Sequence, residues 1–305
     1  MDIENIYKVL DEITGHQGRV TKDEPMKDHT TFKIGGPADI FVQPASGEEV
    51  AEIVKYLGEN DIPVMANGNG SNMLVLDGGI RGVVINLGKN ISDIRVDGCK
   101  VYAQGGALLS AIAAQAAEAG LTGMEFAAGI PGSAGGAVFM NAGAYGGEMS
   151  HIVESCEVVL PDGTLETFVG DELKLGYRKS IFSENGGIIV SCVFELQPGN
   201  KDEIIAKMNE LAKKRRDKQP LDMPSAGSTF KRPEGHFAGK LIQDAGCRGL
   251  GTGGARVSLK HTGFVVNEGG ATAQDVLDLI KLVQMTVKAK TGVMLEPEVR
   301  IIGEP

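Results

Sequence analysis

The sequence predicts an α+β protein of more than one domain, on three observations. Strand-like and helix-like stretches mix without the strict alternation of a doubly wound sheet. From about Lys201 the chain changes character and gives way to long amphipathic helices. And 305 residues are more than one hydrophobic core usually organises, so two or three domains are expected. The expected division is an N-terminal helix over residues 1–20, a first domain over 21–200 in two subdomains, and a second over 201–305 whose last strand is free to return to the first.

Taken in order, MDIENIYKVLDEITG mixes charges into a helical pattern. Ser46 and Glu49 stand at capping-box spacing before Val50, Ile53, Val54 and Leu57, which recur with helical period and stop near Gly58. IPVMANGNGSNMLV reads as strand, glycine loop and strand, and GVVINL as a further strand. IRVDGCKVYAQGG is hairpin-like about Asp97-Gly98, and LLSAIAAQAAEAG is an alanine-rich helix stopped by Gly120. A second hairpin, CEVVLPDGTLETF, turns about Asp162-Gly163, and IIVSCVFEL is a β-branched strand. DEIIAKMNELAKKRRDK is an amphipathic helix ending in basic residues before Pro220. ATAQDVLDLIKLVQMTVKAKTG is another, with Thr272 as N-cap and Gly292 as stop, and VMLEPEVRII is the final strand.

Composition narrows the function. Aliphatic content is ample for sizeable cores and no polar low-complexity tract is present, so the 43 glycines mark tight backbone positions rather than disorder. A formal net charge of -10 opposes binding to nucleic acid or an anionic membrane, and no run approaches a membrane span. Cys99, Cys156, Cys192 and Cys247 show no C-x-x-C pairing, which fits reduced, mostly buried thiols. With no signal-peptide core at the N-terminus, a cytoplasmic enzyme or binding protein is expected.

Two glycine-rich segments stand out, Asn67 to Asn72 (NGNGSN) and Gly129 to Gly136 (GIPGSAGG). Glycine there permits positive φ and close approach of backbone N–H groups to a ligand, and such amide nests bind phosphate without a lysine. A pyrophosphate held between the loops is the reading set against mere tight turns. The Walker pattern is missing, and GNGSNM fails at the last glycine of G-x-G-x-x-G and opens onto the strand-like MLVL, so P-loop and Rossmann sites are excluded. His16, His29, His151, His236 and His261 form no zinc motif, and no metal is expected. No G-x-S-x-G elbow exists for a serine hydrolase. The run KKRRDK suits a solvated helix C-terminus, with Lys218 nearest the following loop.

Eight strings in order, HTTFKIGGPAD, GNGSNMLV, AGIPGSAGGAVFMNAGAYGGE, GYRKSIF, AGSTFKRP, GKLIQDAG, GGARVSLKHTGFVVN and LEPEVRIIG, resemble the UDP-N-acetylenolpyruvoylglucosamine reductase family from about Asp28 to Gly303. These are flavoenzymes of the cytoplasmic stage of peptidoglycan synthesis. The resemblance implies a two-part FAD-binding domain of the vanillyl-alcohol-oxidase or p-cresol-methylhydroxylase type, followed by a C-terminal α+β substrate domain. It implies FAD and NADPH as cofactors and a UDP-linked enolpyruvyl amino sugar as substrate. Backbone donors to the FAD pyrophosphate would come from Asn67, Gly68, Asn69, Gly70, Ser71 and Asn72, and from Gly129, Ile130, Pro131, Gly132, Ser133, Gly135 and Gly136. The tail AVFMNAGAYGG would pack, buried, beneath the cofactor.

Hydride delivered to the enolpyruvyl group leaves negative charge beside a carboxylate, which calls for a cation and a proton donor. By motif match Arg178 would be the cation and Ser228 the donor. Glu298 would complete the site in protonated form, with its pKa raised by burial. Tyr177, Lys218 and Arg232 would bind the nucleotide sugar. Only SENGG, Ser183 to Gly187, separates Phe182 from the next strand, so the chain resembles the shorter subgroup that lacks a tyrosine-bearing loop. Two rivals remain at this level: an FAD-dependent oxidase of small alcohols or lactones, whose chemistry has no use for AGSTF with PEVRIIG, and a non-enzymatic flavin- or nucleotide-sugar-binding module.

Overall fold

A computed structural model describes residues 1–305. Along the chain, α1 (Ile3–Ile13) precedes β1 (Val20–Pro25), β2 (Pro37–Val42), α2 (Gly47–Glu59), β3 (Val64–Asn67), β4 (Met73–Val75), β5 (Ile80–Asn86), β6 (Ile94–Asp97) and β7 (Lys100–Gln104). Then come α3 (Leu109–Glu118), α4 (Ala134–Phe139), β8 (Val153–Val159), β9 (Leu165–Val169), α5 (Phe182–Asn185), β10 (Ile188–Glu195) and α6 (Lys201–Lys218). The rest comprises β11 (Ser225–Ser228), α7 (Ala238–Asp244), β12 (Gly251–Thr252), β13 (Ala255–Val257), β14 (Phe264–Asn267), α8 (Ala273–Thr291) and β15 (Arg300–Ile302).

Local chemistry explains most boundaries. Ser46 Oγ accepts the Glu49 N–H at 3.2 Å, while the Glu49 carboxylate takes the Ala45 N–H and Arg19 instead of closing a box on Ser46. On α8 the box is complete between Thr272 and Asp275, and Gly292 stops the helix at φ +76°. The first hairpin turns one residue later than expected. Asp97 pairs with Lys100, leaving Gly98 and Cys99 in the turn, because Gly98 adopts φ +58° without strain.

The chain divides into two compact units. The first comprises Met1–Lys22, Ile40–Asn69 and Gly82–Lys214, and the second Asp23–Asp39, Gly70–Arg81 and Arg215–Pro305. Two early segments thus share a unit with the C-terminal third of the chain, and α6 changes unit at Arg215.

The first unit has two cores. One sheet, ordered β1-β2-β5-β3, packs with α1 and α2 around Ile6, Leu10, Ile40, Ile53, Leu57 and Ile85. The other, ordered β9-β8-β10-β7-β6, packs with α3 and α4 around Ile112, Phe126, Val138, Phe182 and Phe194. Strand β10 runs through the middle of that sheet and buries residues on both faces, which accounts for its unbroken β-branched character.

In the second unit the sheet β11-β14-β13-β12 carries α7 and α8 on a core that takes in Phe32, Ile34, Leu74, Val276, Leu279 and Leu295. Strand β15 pairs in parallel with β4 of the same unit, Arg300 opposite Met73 and Ile302 opposite Val75. No helix is long and apolar enough to cross a membrane.

Candidate active site

Within the first unit the start of the first glycine segment, Asn67 to Asn69, meets the second. Asn69 Nδ2 donates to Pro131 O at 2.8 Å, and a Cβ at Gly68 would fall 2.1 Å from Ser133 Oγ, so only glycine fits there. Asn86, 7% exposed at the end of β5, sets the first loop. Its Nδ2 donates to Asn67 Oδ1 at 2.6 Å and to Gly68 O at 3.1 Å, while its Oδ1 accepts from Gln43 Nε2 at 3.3 Å. Sequence reasoning does not single out Asn86; the available signal is an amide side chain closing the apolar run GVVIN, where it has no packing value.

Ser133 stands at the N-cap of α4. Ala134 and Gly135 donate their N–H groups to Ala107 O at 2.8 Å and Gly105 O at 2.9 Å, and a Cβ at Gly135 would meet Ile189 O at 2.8 Å. The small residues here let α4 lie directly on the β7 and β10 backbones. The N–H groups of Gly132, Ser133 and Gly136 bond to no backbone carbonyl, and the buried Ser133 hydroxyl has no partner in the chain. A buried hydroxyl without a partner costs about 1–3 kcal/mol. N–H groups and a hydroxyl without partners in the chain, in a glycine-rich loop that opens a helix, suit an anion, and the residues present therefore fit the pyrophosphate of FAD.

The end of α4 leads to the arginine motif. Tyr177 and Arg178 form the tip of a tight hairpin closed by Gly176 N to Lys179 O at 3.0 Å and Lys179 N to Gly176 O at 3.2 Å. Ser180 Oγ donates to Phe139 O at 2.8 Å and Asn141 Nδ2 to Gly176 O at 3.1 Å, fastening the hairpin to the end of the helix. The Arg178 guanidinium lies 5.2 Å from the centre of the Tyr177 ring. Packing in the tail AVFMNAGAYGG is buried at Ala137 and Val138, whereas Tyr145 is 45% exposed at φ +53°.

In the second unit the segments that carry Ser228 and Glu298 run alongside one another. Glu298 N donates to Thr229 O and Lys231 N to Glu296 O, both at 2.8 Å, which joins residues 229–231 to 296–298. The β11–β14 register shifts between Ser225 and Ser228, where Gly227 takes φ +73°. Ser228 is exposed and Thr229 buried, its Oγ1 accepting from Val265 N at 3.0 Å. Asn72 Nδ2 donates to Glu298 O at 3.3 Å, which brings the end of NGNGSN beside the glutamate. A Cβ at Gly70 would fall 2.1 Å from His29 O, and Gly70 O accepts the Thr31 N–H at 3.2 Å.

Lys218 ends α6 in an exposed position. Burial, and to a lesser degree the Lys218 charge, pushes His261 below its ordinary value, and its Nδ1 accepts the Gly263 N–H at 3.1 Å. Arg232 is exposed, with Nε donating to His236 O at 3.2 Å and the guanidinium 4.1 Å from the Phe237 ring centre.

Comparison with known proteins places the whole chain in one family. Residues 219–302 match the family described as the C-terminal domain of UDP-N-acetylenolpyruvoylglucosamine reductase, and residues 38–168 match an FAD binding domain. The reductase of Agathobacter rectalis is 56% identical over 295 residues, 93% of this chain and 94% of its own. Reductase 2 of Bacillus cereus is 50% identical over 304 residues, covering 100% and 99%. Among solved structures, the Thermus caldophilus reductase has a TM-score of 0.82 at 38% identity, over 93% of this chain and 99% of that one. Phl p 4.0202, described as a glucose dehydrogenase, reaches 0.51 at 16% identity over 65% of this chain and 44% of that one, which shows a shared fold alone.

Proposed function

The chain belongs to the UDP-N-acetylenolpyruvoylglucosamine reductase family, and from that premise we propose how its own residues share the reaction. It is an FAD-containing, NADPH-dependent oxidoreductase of peptidoglycan precursor synthesis that turns UDP-N-acetylenolpyruvoylglucosamine into UDP-N-acetylmuramate. Bound FAD supplies the hydride chemistry, from NADPH to the enolpyruvyl double bond. Asn67 to Asn72 and Gly129 to Gly136 hold its pyrophosphate.

Reduction at the terminal carbon of the enolpyruvyl group puts negative charge on the carbon next to the carboxylate. Arg178 grips that carboxylate, since its planar fork matches the two oxygens. Ser228 Oγ gives its proton to the basic carbon, a step open to a weak acid because the acceptor is strongly basic. Glu298, protonated, donates a hydrogen bond to the substrate carboxylate. Lys218 and Arg232 meet the diphosphate and carboxylate of the nucleotide sugar, Tyr177 contributes to binding it, and the part expected over 201–305 is assigned to the substrate. A cytoplasmic location, where NADPH is at hand, belongs to the same reading.

The joining of these two segments carries this assignment: Ser228 is exposed at the end of β11, and residues 229–231, which follow it, hydrogen-bond to 296–298, which bear the carboxyl. The experiment is an anaerobic absorption spectrum, first with NADPH and then with the enolpyruvyl nucleotide sugar. Flavin bands that bleach with NADPH and return with the sugar are expected, and a protein unable to take up FAD would overturn the reading.

A further inference from the structure

We infer that Asn141 is a positioning residue for Arg178, acting with Glu148 to fix the direction in which the guanidinium is presented. The inference rests on the assignment of Arg178 to the substrate carboxylate. Asn141 is 1% exposed and sits in the left-handed region at φ +41°, just past the end of α4. Its side-chain amide is fully used. Nδ2 donates to Gly176 O at 3.1 Å and to Glu148 Oε1 at 3.3 Å, and Oδ1 accepts the Ser150 N–H at 2.9 Å.

Each of these bonds bears on the arginine. Gly176 O also accepts the Lys179 N–H across the two-residue tip, so Asn141 grips the base of the hairpin that carries Arg178. Arg178 itself has φ +56°, a conformation that a side-chain-bearing residue keeps only when its surroundings over-determine it. Asn141 on one flank and the Ser180 hydroxyl bond to Phe139 O on the other supply that constraint. Glu148 provides the charge. The hydrogen bond from Ser150 Oγ, at 2.5 Å, outweighs burial and, with the Asn141 amide and the nearby Arg178 charge, holds its carboxyl below the ordinary range, so it stays ionised. Asparagine suits position 141 on two counts, since it tolerates the left-handed backbone better than most residues and offers both a donor and an acceptor.

The test compares half-reactions of the FAD-loaded protein. Asn141→Gly keeps the backbone conformation and deletes the amide; Asn141→Asp keeps the shape and puts an acceptor against Gly176 O. Both are expected to slow flavin reoxidation by the enolpyruvyl sugar roughly ten- to hundredfold through misplacement of Arg178, with NADPH reduction of the flavin within about twofold. In an Arg178→Ala background, Asn141→Gly should add nothing further, whereas a merely structural role would add in both backgrounds. Normal reoxidation in folded Asn141 variants, or full additivity, overturns the inference. If Arg178→Ala alone leaves reoxidation normal, the assignment of Arg178 falls instead, and this inference with it. Should neither Asn141 variant fold, Glu148→Gln decides, because that carboxylate is 40% exposed and outside the core. A several-fold slowing that vanishes in the Arg178→Ala background supports the inference, and unchanged kinetics overturn it.

Discussion

Ser228 offers the sharpest test of the chemistry at the scale of single residues. Replacing it by Ala is expected to leave NADPH reduction of the flavin nearly intact while slowing reoxidation by the sugar on the order of a hundredfold or more. Stopped-flow measurement of the two half-reactions checks this, and equal slowing of both would remove Ser228 as proton donor. Gly68 tests the cradle. A methyl there meets Ser133 Oγ at 2.1 Å and Ser133 Cβ at 3.1 Å, so the Ser133 side chain or the loop must shift. Gly68→Ala is expected to weaken FAD retention by at least about tenfold, roughly 1.4 kcal/mol, as read by fluorescence of released flavin. A variant that keeps its flavin through dialysis would place the pyrophosphate elsewhere.

At the scale of elements, α2 is tied to the segment before β1 by Arg19, whose two terminal nitrogens reach Glu49 at 2.6 and 2.9 Å. Burial pushes Glu49 up, but the Arg19 fork and the Ala45 N–H together outweigh it and hold the carboxyl below its ordinary value. A carboxylate with a lowered folded-state pKa stabilises fully above its unfolded value, about 4.3, and the contribution disappears as pH falls through the folded value. Glu49→Gln is therefore expected to cost about 1–2 kcal/mol at neutral pH, with the gap to the parent closing in urea titrations below about pH 4. A gap independent of pH would show that the pair is not the source. On α8, Thr272→Ala removes one half of the capping box and is expected to cost about 1 kcal/mol in chemical denaturation.

Seen as a whole molecule, each unit draws on distant parts of the chain. Strand β15 closes the edge of β4, and Val299 beside it is buried in the core of the second unit. Deleting residues 299–305 is expected to expose the β4 edge and part of that core and to lower stability by about 3 kcal/mol. The melting temperature of the FAD-free protein checks this, and an unshifted transition would show that β15 is dispensable.

What the sequence determined by itself is local or carried by ordered strings. Ser46, Thr272 and Gly292 mark helix ends because a cap is made within four residues, and β10 is legible because burial on both faces demands an unbroken apolar run. The glycine loops and the residues Arg178, Ser228 and Glu298 are legible as motifs, and the family follows from eight such strings in order. Tertiary structure alone decided the pairings between segments far apart. Asn86 and Asn141 look like unremarkable polar residues until folding places their amides against loop carbonyls. The same holds for the segments 23–39 and 70–81, whose Phe32, Ile34 and Leu74 join a core made mostly of residues beyond 226. Periodicity reports which face of an element is apolar. It is silent on which distant surface covers that face, since hydrophobic burial has no direction and any matching apolar surface satisfies it.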